Sequence, residues 1–154
     1  MHDYPFERFT RNSKLTLQLA QQEAERGHRT YVGTEHILLG LLRLEGGSAH
    51  RALNDLGITI APVRKQINFV TGRGRLFRPR KVTPTARVKE VVESAFAESR
   101  RMALDSVHSG HLLMGLAMAR QGVASQVLDL LGTSRERVMA AAERQIGAAP
   151  EQIR

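Results

Sequence analysis

The chain of 154 residues contains no cysteine. That excludes a disulfide framework, a thiolate nucleophile and any cysteine-based metal site, and it suits a reducing compartment, so a cytoplasmic protein is the expectation. No stretch approaches the roughly 18 consecutive apolar residues of a membrane span. The opening residues, Met1-His-Asp-Tyr-Pro5, lack the basic-then-apolar plan of a secretory signal. A G-x-x-x-x-G-K-[ST] phosphate loop is also missing; the nearest approach, Gly72-Arg-Gly-Arg75, is far too little. Acidic residues are absent from one particular place. Residues 72–89 carry Arg73, Arg75, Arg78, Arg80, Lys81, Arg87 and Lys89 with no Asp or Glu, so this segment holds most of the formal net charge of +8 and the rest of the chain is close to balanced.

What is present is a repeat. Residues 32–41 read VGTEHILLGL and residues 107–116 read VHSGHLLMGL, an offset of 75. At the same offset Gly47 pairs with Gly122, Ala49 with Ala124, Leu53 with Leu128, Leu56-Gly57 with Leu131-Gly132, Val63 with Val138 and Gly72 with Gly147. No gap is needed, which marks a tandem duplication. Two units of this size would each be marginal alone, so they are expected to pack on one another in one domain.

The periodicity is helical throughout, and no strand is expected. A first helix over residues 10–26 carries Leu15, Leu19, Gln22 or Glu23, and Arg26 on one stripe, thickened by Leu17, Ala20 and Ala24. Gly27-His28 stops it, with the glycine as the left-handed cap. Thr34 is the expected N-cap of a helix that is apolar nearly all round and therefore buried. Ser48 opens a short helix ending at Gly57, and Thr59 caps a fourth, with Pro62 in its first turn. The second unit repeats the plan: Thr83-Pro84 as N-cap and first helical residue, a long helix through Val88, Val91, Val92, Ala95 and Phe96, then Ser109 as N-cap of the buried helix, Val123 to Leu131, and a last helix capped by Ser134. The expectation is an all-α, pseudo-twofold duplicated bundle of two four-helix repeats. Repeat 1 covers 6–72, a basic linker 73–82, repeat 2 83–147, and a flexible tail 148–154.

Several runs carry a family resemblance: Phe6-Glu-Arg-Phe-Thr10, Ala20-Gln-Gln-Glu-Ala24, Gly33-Thr-Glu-His-Ile-Leu-Leu-Gly-Leu41, Ala52-Leu53 with Leu56-Gly57, and Val82-Thr-Pro84. With the duplication, these resemble the N-terminal domain of the ClpC/ClpA type of AAA+ unfoldase over residues 6–147. The resemblance implies a pseudo-twofold bundle of eight helices that docks adaptors and client proteins or peptides for an ATPase ring. In the ClpC branch it implies binding of phosphorylated arginine, with the glutamate of each Gly-Thr-Glu-His segment holding that group. Actinobacterial relatives bind cyclic peptide antibiotics in a groove between the repeats. Without the phosphate loop, two arrangements stay open: a free-standing accessory or decoy domain, or the N-terminal part of an unfoldase.

Candidate site residues follow. Glu35 begins the buried helix, where the dipole favours a carboxylate and free amides favour an anion. It could hold a guanidinium, with the amides near Thr34 taking the phosphate; alternatively it supports the helix start. In the second repeat Ser109, Gly110 and His111 stand where Thr34, Glu35 and His36 stand, so the guanidinium partner is lost and binding is expected at repeat 1. His36 and His111 read first as buried residues bonded to backbone; a zinc site at His108 and His111 lacks further ligands. The resemblance puts Phe6 and Val82 on the inter-repeat groove, with Lys14 and Arg87 as nearby cations; Phe6 is equally a core plug. Val82 replaces an aromatic, which argues against cyclic-peptide binding. The basic linker, with Phe77, could meet acidic segments or nucleic acid, or be a solvated connector. No catalytic residue, metal or cofactor is assigned.

Overall fold

The computed structural model describes residues 6–72 and 83–153. The basic segment 73–81 and Val82 lie outside the described residues. Among those described, eight helices follow a short 3-10 turn at Phe6–Arg8: α1 (Arg11–Arg26), α2 (Thr34–Arg43), α3 (Ser48–Asp55) and α4 (Ile60–Thr71) in the first repeat, then α5 (Ala86–Arg101), α6 (Ser109–Met118), α7 (Val123–Leu130) and α8 (Arg135–Ala148) in the second. The fold is all-α, as expected. The small correction is a pair of two-residue strands, β1 (Tyr31–Val32) and β2 (Thr83–Pro84), paired in parallel, with a second parallel bridge between Phe9 and Val107. Phe9 and Pro84 are one repeat apart, as are Val32 and Val107. The two bridges are therefore one contact made twice, and each stitches the lead-in of one repeat to the other.

The core lies around the facing pair α2 and α6, which are buried along nearly their whole length. Each is crossed closely by the long helix of its own repeat. A Cβ on Gly40 would lie 2.6 Å from the Thr16 carbonyl oxygen, and one on Gly115 would lie 2.5 Å from that of Val91. Backbones that approach this closely leave room only for small side chains. That is why α1 turns Ser13, Thr16, Ala20, Glu23 and Ala24 inward while Leu15 and Leu19, expected on the core stripe, stay half-exposed. Phe9 is the plug under this crossing, fully buried between Phe6 and Phe96 at ring separations of 5.0 and 5.3 Å.

The repeats interlock. α3 packs on α8 and α4 on α7, so each short helix finds its partner in the other repeat. Helix starts differ from expectation in a consistent way. Thr34 and Ser109 are the first helical residues, behind Gly33 and His108 at the N-caps. Their hydroxyls reach across the pseudo-twofold axis instead, Thr34 Oγ1 accepting the Ala124 N–H at 3.0 Å and Ser109 Oγ the Ala49 N–H at 3.2 Å. Thr83-Pro84 is strand, and Thr85 caps α5 through the Val88 N–H. After α1 the left-handed residue is His28 (φ 55°), matched by Ala103 (φ 57°) after α5, while Gly27 stays at φ −80°.

Residues 148–154, expected as a flexible tail, are held instead as far as Gln152. The Gln152 carbonyl accepts the Arg11 N–H at 2.7 Å, the Ala149 carbonyl accepts from Arg51, and Glu151 is gripped by both repeats.

Candidate functional site

The end of α2 that carries Gly33, Thr34, Glu35 and His36 opens on one side into a cavity of about 620 Å³ between α1, α2 and α4. His36 is held first. Its Nδ1 accepts the Gly33 N–H at 2.9 Å, and His111 Nδ1 accepts the His108 N–H at 2.8 Å in the second repeat. Each histidine thus satisfies one of the free amides at a helix start. Burial is the main reason both imidazoles titrate low, at about 4, and they are neutral at physiological pH. With Nδ1 accepting, the proton sits on Nε2, and the Nε2 of His111 is buried without a protein partner. Both histidines act as helix-start acceptors.

Glu35 is 2% exposed. Burial pushes its carboxyl above the usual carboxylate range, opposed by a bond from its own backbone N–H, by the Tyr31 hydroxyl at 3.4 Å from Oε2, and by the charge of Arg29. In the second repeat the matching amide, Gly110 N–H, donates to Ser48 Oγ at 2.8 Å. The residue matching Ser48 across the repeats is Val123, which has no hydroxyl to offer the Glu35 amide. Conversely, a side chain at Gly110 would collide with Ile146, whose Cγ1 lies 2.6 Å from where its Cβ would sit, and with Ser48 Oγ at 2.9 Å. The lack of a side chain at Gly110 is therefore coupled to what packs over α6.

The cavity wall is strongly charged. Glu23 on α1 is buried and bridges Arg64 at 2.6 Å, Arg43 at 3.0 Å and Arg26 at 3.8 Å. Burial raises its carboxyl, but the Arg64 bond and the charges of all three arginines outweigh this and hold it below the usual range. Arg29 spans the cavity mouth to Thr71 Oγ1 and the Gly72 carbonyl. The result is a concave site with a buried carboxylate, Glu35, inside a ring containing Arg26, Arg29 and Arg64. Its counterpart in the second repeat, about 520 Å³, is lined by Met114 and Met139 where the first has Leu39 and Arg64, and it contains no equivalent of Glu35. The two concavities share a fold position and differ in chemistry.

The other candidates are dispersed. The Thr34 hydroxyl faces α7, and Thr34 does not line the cavity. Arg87 is part-buried near that same α2–α7 junction, bonded to Glu90 at 3.0 Å and to Gln121. Phe6 is half-buried against Phe9, and Lys14 is exposed on α1. The Glu23–arginine cluster was missed by sequence reasoning. Its signal was Glu23 standing on a stripe of small residues, a charge placed where only a paired one is tolerated.

Comparison with known proteins defines the class. The family described as "Clp repeat (R) N-terminal domain" matches residues 8–131 and again 81–152. A curated relative, an ATP-dependent Clp protease ATP-binding subunit ClpA homolog from Cyanidium caldarium, is 39% identical over 146 residues; the match covers 95% of this chain and 17% of the relative. The N-terminal domain of the chaperone ClpD from Arabidopsis thaliana superposes with a TM-score of 0.74 at 26% identity, covering 96% of this chain and 99% of that one. A structure described as a complex of the ClpV N-domain with a VipB peptide has a TM-score of 0.73 at 18% identity, covering 94% of this chain and 91% of that one. The chain belongs to the Clp repeat N-terminal domain family, and it spans about a sixth of the length of the curated relative.

Proposed function

We propose that this chain is a peptide-recognition domain serving Clp-type unfolding machinery, and that repeat 1 is its charged recognition site. The observation that carries the proposal is Glu35, a buried carboxylate facing a charged cavity in one repeat and absent from the other. A segment bearing phosphorylated arginine suits that cavity: its guanidinium would meet Glu35, while Arg26 and Arg29 at the rim offer charge-assisted bonds to the phosphate. Family membership supports a role in docking clients or adaptors, whether in front of an ATPase ring or as a separate accessory or decoy. The peptide bound by the ClpV N-domain supports peptides as the ligand class.

Titration calorimetry with a phosphoarginine peptide and its unmodified arginine twin tests this. Wild type should prefer the phosphorylated peptide, and Glu35→Gln, which keeps the side-chain shape, should weaken binding by at least ten-fold. Equal affinity of wild type and Glu35→Gln rejects the role of Glu35.

A further inference from the structure

The junction between the two repeats contains a site that is already filled. Where the N-termini of α3 and α6 meet, the carboxylate of Glu151 accepts five hydrogen bonds. Its Oε1 takes the Ser109 N–H at 2.7 Å and the Thr10 hydroxyl at 2.7 Å. Its Oε2 takes the Ser48 N–H at 2.7 Å, the Ser48 hydroxyl at 2.9 Å and the Ser109 hydroxyl. The orientation of the two serines is set by their other bonds. Ser48 Oγ accepts the Gly110 N–H and Ser109 Oγ accepts the Ala49 N–H. Each hydroxyl is left free to turn its own proton to Glu151, the two oxygens lying 3.3 Å apart. Ser48 and Ser109 are 0 and 1% exposed, and their N–H groups bond to Glu151 alone, so without an acceptor each would be left unsatisfied at a cost of about 1–3 kcal/mol.

This is therefore a site suited to an oxyanion, made by two helix starts and three hydroxyls from both repeats. It lies beside a concavity whose walls include Arg11 and Arg51. Burial disfavours the Glu151 carboxylate, but the bonds from Ser109, Ser48 and Thr10 prevail and hold its carboxyl below the usual range. The occupant comes from residues 149–152, which follow the last helix and have few other anchors: the Gln152 carbonyl to the Arg11 N–H and the Ala149 carbonyl to Arg51.

We propose that Glu151 is an intramolecular, displaceable ligand of this oxyanion site, and that an external phosphate group competes with it and in doing so releases residues 149–152. The site and the exit segment are then coupled reciprocally: an anion that binds only the open site frees the segment, and a firmly docked segment weakens the anion by the same factor. The proposal stands apart from peptide recognition at repeat 1, because none of Thr10, Ser48, Ser109 and Glu151 lines that cavity.

Amide NMR on 15N-labelled protein tests it, with inorganic phosphate as the probe and ionic strength held constant with sodium chloride. In Glu151→Ala, the Ser48 and Ser109 amide signals should move and residues 149–152 should gain fast backbone motion. Phosphate should then shift those two amides saturably, with at least ten-fold higher apparent affinity than in wild type. Glu151→Gln, which keeps the shape without the charge, should fall between. In wild type, the phosphate concentration that shifts Ser48 and Ser109 should also mobilise residues 149–152. Failure of phosphate to shift Ser48 and Ser109 in Glu151→Ala overturns the proposal. So does a tail that is as ordered in Glu151→Ala as in wild type.

Discussion

At the scale of single residues, polar groups in this domain are mostly devoted to helix starts. His36 and His111 each supply one acceptor, Thr34 and Ser109 supply another to the opposite repeat, and Glu35 supplies one to itself. The histidines make stability depend on pH. Their folded-state pKa is about 4, below the ordinary value of 6.5, chiefly through burial. The charge of His108 also lowers that of His111, that of Arg101 lowers it further, and that of Glu151 opposes them. As pH falls below 6.5 the unfolded chain takes up protons that the folded chain refuses until about pH 4, so stability is present above 6.5 and is lost on the way down. Shifts of this size correspond to at most about 3 kcal/mol per histidine. His111→Gln retains an acceptor at the third helical position and removes one titration. Its thermal midpoint should therefore fall less steeply than wild type's between pH 6.5 and 4; parallel curves would contradict this account.

Among elements, the decisive contacts are the two close helix crossings, α1 with α2 and α5 with α6. Each rests on a glycine against a carbonyl oxygen, Gly40 on Thr16 and Gly115 on Val91. Gly40→Ala places a methyl group 2.6 Å from backbone that cannot move without shifting a helix. Despite the higher helix propensity of alanine, it should destabilise the domain by about 1–3 kcal/mol, measurable as a lowered urea midpoint. A neutral or stabilising result would show that the crossing can relax. Much of this level was legible beforehand. The buried helices, the short helices that follow them and the closing glycines at 57 and 132 came from the offset of 75, because packing constraints are inherited by both copies. The inward face of α1 was read in part: Ala20, Glu23 and Ala24 are buried as placed, whereas Leu15 and Leu19 are half-exposed, since a leucine stripe signals amphipathicity but says nothing of how close a neighbour will come. Thr34 and Ser109 were taken for caps because a cap is a local pattern, whereas their partners, Ala124 and Ala49, lie 90 and 60 residues away.

The whole molecule is one interlocked unit rather than two stacked ones. The helix starts of one repeat depend on hydroxyls from the other, and α3 and α4 bury their inner faces on α8 and α7. Residues 1–77 alone should therefore lack a cooperative thermal transition by circular dichroism, and mixing with residues 78–154 should restore helical signal; a stable, cooperatively melting fragment would show that a single repeat suffices. Asymmetry between the candidate sites was legible in part. Glu35 against Gly110 could be read from the alignment of the copies. The carboxylate that Glu151 delivers to the second copy could not, because it comes from a segment after the last helix with no counterpart in the repeat pattern.

The bond between the Arg11 amide and the Gln152 carbonyl, 2.7 Å long, brings the two ends of the duplicated region to the same spot. A short bridge could join them there, and the chain could instead be opened within residues 73–82, leaving every hydrogen bond named above in place. Repeat 2 would then precede repeat 1. The order in which the halves are written along the polypeptide is thus separable from their arrangement in space.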